Sequence, residues 1–278
     1  MKKTLLFLPI LLFTFTTSYC QTSVSGGLYS NTTWTLANSP YIVTGNIVLF
    51  PGNTLTIEPG VTVKFASGVQ LEIRGASLMA LGTSTDSITF TSNGSASAGS
   101  WNQVVLTGGP GTSKFTYCNF RYATRGLFDS RGGAGDTLII QNSNFSYNTD
   151  GFDGQGSSYV LVDLCDFSHN SNYGVTQVVN PTFNHCNFSY NTGGIQGRQD
   201  TKLLSCTIHH NQTGIDGIDY SVVSDCDISN NQTGIVISNS NVVIRNSVID
   251  SNTMIGIKMF GQERDTITNN IVVVIISK

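Results

Sequence analysis

From Cys118 onward, apolar and polar positions alternate in short runs that restart about every 21 residues. In the copy beginning at Cys206, Cys206 and Ile208 fall on one side and Thr207 and His209 on the other. That is the period of two of a β-strand. Seven copies begin at Cys118, Ser143, Cys165, Cys186, Cys206, Cys226 and Ser247, with spacings of 25, 22, 21, 20, 20 and 21 residues. Two residues further on stands Phe120, Phe145, Phe167, Phe188, Ile208, Ile228 or Ile249, apolar in every copy. A second inward position follows at Leu127, Phe152, Val175, Ile195, Ile215, Ile235 and Ile257. A third apolar run precedes the next copy, as in Leu138-Ile139-Ile140, Val160-Leu161-Val162 and Val242-Val243-Ile244. Three short strands and three turns per 20–22 residues predict one coil of an all-β parallel β-helix, a solenoid whose coils bury their apolar sides only against their neighbours.

The polar positions of the repeat are also regular. Asn148, Asn170, Asn191, Asn211, Asn231 and Asn252 form a structural ladder, with Ala123 in the first copy. Gly126, Gly151, Gly174, Gly194, Gly214, Gly234 and Gly256 follow three or four residues later. The Asn amides are expected to bond from coil to coil at a corner, with Asn tolerating left-handed backbone and Gly supplying positive φ. Cys118, Cys165, Cys186, Cys206 and Cys226 share one slot, which Ser takes in two copies. Equivalent slots of stacked coils point the same way, so these cysteines are expected to be buried free thiols rather than disulfides. No CxxC or HxxxH spacing suggests zinc. Coils stack about 4.8 Å apart, and nine or ten of them would give a rod of roughly 45 Å.

The first twenty residues stand apart. Lys2 and Lys3 precede an apolar run from Leu5 to Phe15, too short to span a bilayer. Residues 1–20 therefore read as a signal peptide cut before Gln21, with a lipid anchor on Cys20 as the rival, disfavoured by the bulky Tyr19. Residues 21–45 are expected to be a lead-in and cap, and 46–278 the β-helix domain. Only 11% of residues are charged and the net charge is −3, which argues against a helical protein and against nucleic-acid binding. The expected location is secreted or cell-surface, or the periplasm. The apolar end at Ile271-Val272-Val273-Val274-Ile275-Ile276 lacks a polar cap, which implies a fragment or end-to-end association.

The corner sequences at Asn211-Gln212-Thr213-Gly214-Ile215 and Asn231-Gln232-Thr233-Gly234-Ile235, together with Leu55-Thr56-Ile57-Glu58-Pro59-Gly60-Val61, resemble the pectate-lyase-like superfamily of right-handed parallel β-helices, NosD-type periplasmic proteins included. The resemblance covers about 45–278 and implies a right-handed coil. It does not choose among the lyases, hydrolases and adhesins that share the fold.

Candidate chemistry sits in the slots that vary. Asn148-Thr149-Asp150-Gly151-Phe152-Asp153 resembles the catalytic motif of polygalacturonases, which implies Asp150 and Asp153 as a carboxylate pair. The next coils lack the acid pair and the histidine that the family pattern requires. The outward slot two residues after the repeat Gly reads Phe128, Asp153, Thr176, Gln196, Asp216, Val236 and Lys258, with Arg198 and Asp219 close by. No two acids are adjacent there, so no metal site is expected, and calcium would enter only if the chain were a lyase. The residue before the Asn ladder reads Tyr122, Tyr147, His169, Tyr190 and His210. These rings either form a flat stacking platform for sugars or, pointing inward or into the turn by alternation, stack on one another at a corner and stabilise the coil, which is the favoured reading. The insertion at 131–135 is expected to be a surface loop.

Asp153, Gln196, Arg198, Asp216, Tyr147 and Tyr190 are the predicted ligand-binding residues of an exported, non-catalytic β-helix that binds a polysaccharide or cell-surface glycan. The alternative is a polysaccharide lyase or glycoside hydrolase. A NosD-like helper role lacks the clustered His, Met and Cys it would need.

Overall fold

The computed structural model describes residues 21–132, 136–156, 159–238, 241–260 and 264–272. Its architecture is the expected right-handed parallel β-helix, with three short strands per coil. The first ladder carries strands such as Cys118–Arg121, Asn187–Ser189 and Asp227–Ser229; the second carries Ala123–Asp129, Gly193–Gly197 and Thr233–Ile237. The third holds 11 strands among the described residues, from Thr32–Trp34 to Thr266–Thr268. The only helical element described is the short 3-10 turn Leu36–Asn38.

The solenoid begins earlier than its sequence suggests. Thr22–Leu28 pairs in parallel with Tyr41–Leu49, and Thr32–Trp34 with Thr54–Ile57, so the 21–45 lead-in is itself coil. Gly26 and Gly27 interrupt the alternation there and hide it. Tyr41–Leu49 runs without a break from the first ladder into the second, pairing with Val63 through Tyr41 and with Leu71 through Ile47. The signal peptide expected at 1–20 and the apolar end at 273–278 lie outside the described residues.

The core is a column of stacked rings followed by isoleucines. Phe90, Phe120, Phe145, Phe167 and Phe188 stack coil on coil with centroids 4.5–5.2 Å apart and planes within 13°. Ile208, Ile228 and Ile249 continue the column, fully buried. The five cysteines are free and buried, their Sγ–H groups directed at carbonyls such as Asp163 O (3.3 Å, from Cys165). Where Ser143 takes the slot, its hydroxyl accepts from Cys118 N–H (3.0 Å) and donates to Gln141 O (2.8 Å).

The corner between the first two ladders departs from expectation in two ways. The left-handed residue is the one before each Asn: φ is +67° at Tyr122, +60° at Tyr147, +57° at His169, +58° at Tyr190 and +57° at His210. A non-glycine residue held there costs about 1–2 kcal/mol. The reversal swings the Asn inward, where its amide offsets that cost. Asn191 Oδ1 accepts from both Asn170 N–H (2.9 Å) and Asn170 Nδ2 (3.0 Å), while Asn191 Nδ2 donates to Asn211 Oδ1 (3.2 Å) and Phe167 O (2.9 Å). Asn191 thus ties three coils. The repeat glycines, in turn, do not have positive φ. They are glycines because the coils approach too closely for a Cβ, which would lie 2.5 Å from Gly214 O at Gly194 and 2.6 Å from Gly234 O at Gly214.

The insertion begins with a buried residue, not a surface one. Arg131 is 2% exposed and its guanidinium grips Asp129 with both Nε and Nη2 at 2.9 Å. Leaving that cation unpaired in the interior would be costly, so this turn is anchored. Residues 133–135 of the insertion lie outside the described residues.

Candidate functional site

The same corner reversal that buries Asn exposes the ring before it. Tyr147 is 46% and Tyr190 50% exposed, so the rings lie out on the turn and not inward, while the mutual stacking expected of them is present. Strict alternation fails because one left-handed residue flips the side-chain direction. The rings stack on one another along the outside: Tyr147–His169 at 5.2 Å, His169–Tyr190 at 4.9 Å and Tyr190–His210 at 4.9 Å, with planes 20–27° apart. Stacked in this way, they cover each other's faces and leave their edges to solvent. The surface therefore offers phenol hydroxyls and imidazole nitrogens at coil spacing, and no broad aromatic face. Beside them runs a groove of ≈ 1030 Å³ completed by residues such as Ser171, Thr192, Gln212, Gln232 and Thr253. His209 lies against His210 with their Nδ1 atoms 2.7 Å apart, and burial together with the neighbouring imidazole lowers its pKa.

A second polar surface lies on the outer face of the second ladder. Both the repeat Gly and the residue after it face the core: a Cβ at Gly151 would meet Phe145 and Asn170, and Phe152 is fully buried. Two outward columns result. One runs Arg125, Asp150, Tyr173, Gly193, Thr213, and the other Phe128, Asp153, Thr176, Gln196, Asp216. Asp150 and Asp153 thus share a face, as the polygalacturonase resemblance requires. The next coil sets Tyr173 and Thr176 in those columns, where that resemblance needs acids.

Asp153 is only 3% exposed. Its Oδ2 meets Arg125 Nε at 3.0 Å, and its Oδ1 has no hydrogen-bond partner. Burial pushes its pKa up to about 6 against the pull of Arg125, and the charge of Asp150 adds to the rise. Asp150 is also raised by burial, although Tyr173 N–H (3.1 Å) and Asn172 Nδ2 (2.8 Å) donate to it. Arg125 lies over the Phe128 ring at 4.5 Å. Tyr173 donates to Asp216 Oδ2 at 2.9 Å, and Thr176 donates to Gln196 Oε1 at 2.8 Å. Gln196 and Arg198 border a smaller groove of ≈ 470 Å³ with Gln177, Gln199 and Asp219.

The six predicted ligand-binding residues therefore divide between two surfaces. Tyr147 and Tyr190 line the corner groove; Asp153, Gln196, Arg198 and Asp216 belong to the second-ladder face. Arg125 and Tyr173 complete that face and were not predicted. Their column becomes visible only once two consecutive inward residues are known. Among the described residues no three His, Cys, Asp or Glu side chains converge as a metal-binding group, and no helix is long and apolar enough to cross a membrane.

Fold and surface together define a β-solenoid with polar grooves running along its axis. The family described as "Right handed beta helix region" matches residues 83–221 and 196–275, and a "Pectate-lyase like beta helix domain" matches 26–119. The chain belongs to the right-handed β-helix family. Among solved structures it is similar to the periplasmic alginate epimerase AlgG, with 14% identity, TM-score 0.50, and coverage of 84% of this chain and 61% of that one. A point variant of that epimerase gives 13% identity, TM-score 0.57, and coverage of 83% and 63%. Pectate lyase Pel9A gives 15% identity, TM-score 0.43, and coverage of 79% and 70%. The chain spans about three fifths of the epimerase length. No curated protein matches by sequence.

Proposed function

We propose that this is an exported polysaccharide-binding protein whose ligand lies along the corner groove, parallel to the rod axis. The observation that carries this reading is the exposed column of ring edges at Tyr147, His169, Tyr190 and His210, spaced 4.9–5.2 Å apart. A sugar ring in an extended chain is about as long as one coil is thick, so each coil can present one donor or acceptor to each unit of a polymer. Hydrogen bonds of this kind, many and individually modest, suit a hydroxyl-rich ligand that replaces water. The fold shared with an epimerase of the polysaccharide alginate agrees with a glycan partner. Affinity electrophoresis through gels containing soluble polysaccharides tests the proposal. Retardation that is lost in the Tyr147→Ala, Tyr190→Ala double variant supports it, and free migration in every gel counts against it. Export is tested by sequencing the mature N-terminus, expected at Gln21.

One observation favours a second reading, a polysaccharide-active enzyme. Asp153, with its pKa near 6, lies beside Arg125 and Asp150 on an outward face, where a carboxyl can exchange protons at neutral pH. Reducing-end and unsaturated-product assays, with and without calcium, decide it. Turnover abolished by Asp150→Ala or Asp153→Ala would establish catalysis.

A further inference from the structure

The corner groove has a property that neither its fold nor its rings require: none of the residues that line it is Asp, Glu, Lys or Arg. Its polar groups are phenols, imidazoles, hydroxyls and carboxamides. Several of the neighbouring fixed charges are committed elsewhere. Asp150 takes hydrogen bonds from Asn172 and Tyr173, Arg125 is held by Asp153, and Asp166 takes those of Ser168 and Asn187. From this we infer, resting on the glycan-binding reading above, that the groove takes an uncharged, hydroxyl-rich polysaccharide and rejects uronate polymers.

The physical argument has two parts. A uronate carboxylate laid along this shallow, open groove would give up part of its water without meeting a cation, a cost that hydroxyls and amides offset poorly. The chain's net charge of −3 adds a weak repulsion. A neutral sugar loses only water-like hydrogen bonds and regains them from Tyr147, Tyr190, His169, His210, Gln212 and Gln232. The Asn amides beneath are occupied by the interior ladder and stay out of recognition. The lining reaches from the coil of Tyr147 to that of Thr253, six coils in all. Five spacings of ~4.8 Å put ~24 Å between the first and last coil, or about six sugar units at one per coil.

The test compares soluble neutral polymers (hydroxyethyl cellulose, xyloglucan, galactomannan) with alginate and polygalacturonate. It is run by affinity electrophoresis and calorimetry at pH 8, above the imidazole range, at low and high salt. Expected is binding to at least one neutral polymer, unchanged by salt because no ion pair is screened. Affinity should rise with oligosaccharide length to about six units and then level off. Tyr147→Ala with Tyr190→Ala should weaken it about tenfold or more. Gln212→Ala with Gln232→Ala, exposed amides whose loss leaves the coil intact, should weaken it as well. Salt-sensitive binding to uronates alone, lost in the Tyr variant, would overturn the inference and leave the glycan reading standing. Binding to no polymer would overturn both. Neutral binding untouched by either double variant would move the ligand off the groove and overturn the assignment.

Discussion

The Tyr173 hydroxyl reaches past one whole coil to donate a 2.9 Å hydrogen bond to Asp216. It does so across Gly193, the next residue in the column of Tyr173, whose missing side chain leaves room for the ring to reach Asp216 in the neighbouring column. A Cβ at Gly193 would fall against Tyr173 Cε1 and within 2.9 Å of Cζ. The face is therefore organised by what one position lacks.

Gly193→Ala should displace the Tyr173 ring without straining the backbone, because φ at 193 is not positive. Burial and then Asp216 hold the Tyr173 pKa up to about 12. A raised phenol pKa stabilises the fold fully below the unfolded value, ~10, and the contribution is lost as pH rises toward 12. The variant should bring one tyrosine back toward the ordinary range in a spectroscopic pH titration. Tyr173→Phe should remove that titration altogether. An unchanged titration in Gly193→Ala would show that the ring does not depend on the gap.

The repeat glycine behaves differently. Gly214→Ala places a methyl 2.6 Å from Gly234 O, a backbone atom that cannot swing aside. Opening the coil contact should cost about 2–3 kcal/mol, read as a lowered midpoint in urea. Gly217→Ala is the control: its φ is +67° but its surroundings are open, with Ser238 Oγ 3.7 Å away. It should cost about 1 kcal/mol through backbone strain alone.

Removing one rung of the Asn ladder leaves partners on both sides. Asn191→Ala strands the buried Asn170 N–H, removes one of the two acceptors of Asn170 Nδ2, which keeps Phe145 O, and takes a donor from Phe167 O. At about 1–3 kcal/mol for each buried group left unsatisfied, the total should exceed that of any exposed-ring substitution, such as Tyr190→Phe. Equilibrium denaturation of the two variants checks the ordering.

The cysteines give a simpler observable. Burial pushes the Cys118 thiol well above its usual range, and Cys186 with burial raises Cys206 to about 12. Since the thiolate is the nucleophile, a thiol reagent should label none of the five in the native protein and all five in denaturant. Fast native labelling, or fewer than five thiols after unfolding without reductant, would contradict buried free thiols.

The coil was legible because inward residues at Phe120, Phe145, Phe167 and Phe188 recur in register with the Cys and Asn slots, and stacking makes register visible as period. The corners were not. Asn and Gly are the residue types most associated with left-handed backbone, so positive φ was expected at Asn191 and Gly194. The geometry instead places it on Tyr190, a residue with no such reputation, because the inward Asn needs a reversal just before it. One flipped residue turned the ring column from buried to exposed. One pair of consecutive inward residues, Gly151 and Phe152, hid the second outward column, and with it Arg125 and Tyr173. Period-two reasoning fails where the chain breaks alternation, and in this molecule those breaks build the surface.

Asp153 offers the clearest pH dependence. Burial raises its pKa to about 6 despite Arg125 at 3.0 Å, so the folded state holds its proton more tightly than the unfolded chain. The contribution of Asp153 to stability is therefore fully present below the unfolded value, ~3.9, and declines as pH rises through 6. Asp153→Asn keeps an oxygen for the Arg125 guanidinium but cannot ionise. Relative to wild type, its stability should improve steadily from pH 4 to pH 7 and stay level above that, in parallel urea titrations across pH. Arg125→Ala should carry the wild-type decline to higher pH and enlarge it, because it removes the one cation that favours the charged form while leaving burial and Asp150 in place. A difference between Asp153→Asn and wild type that stays flat over this range would mean that Asp153 is ionised throughout, and would remove it as a proton-exchanging group near neutrality.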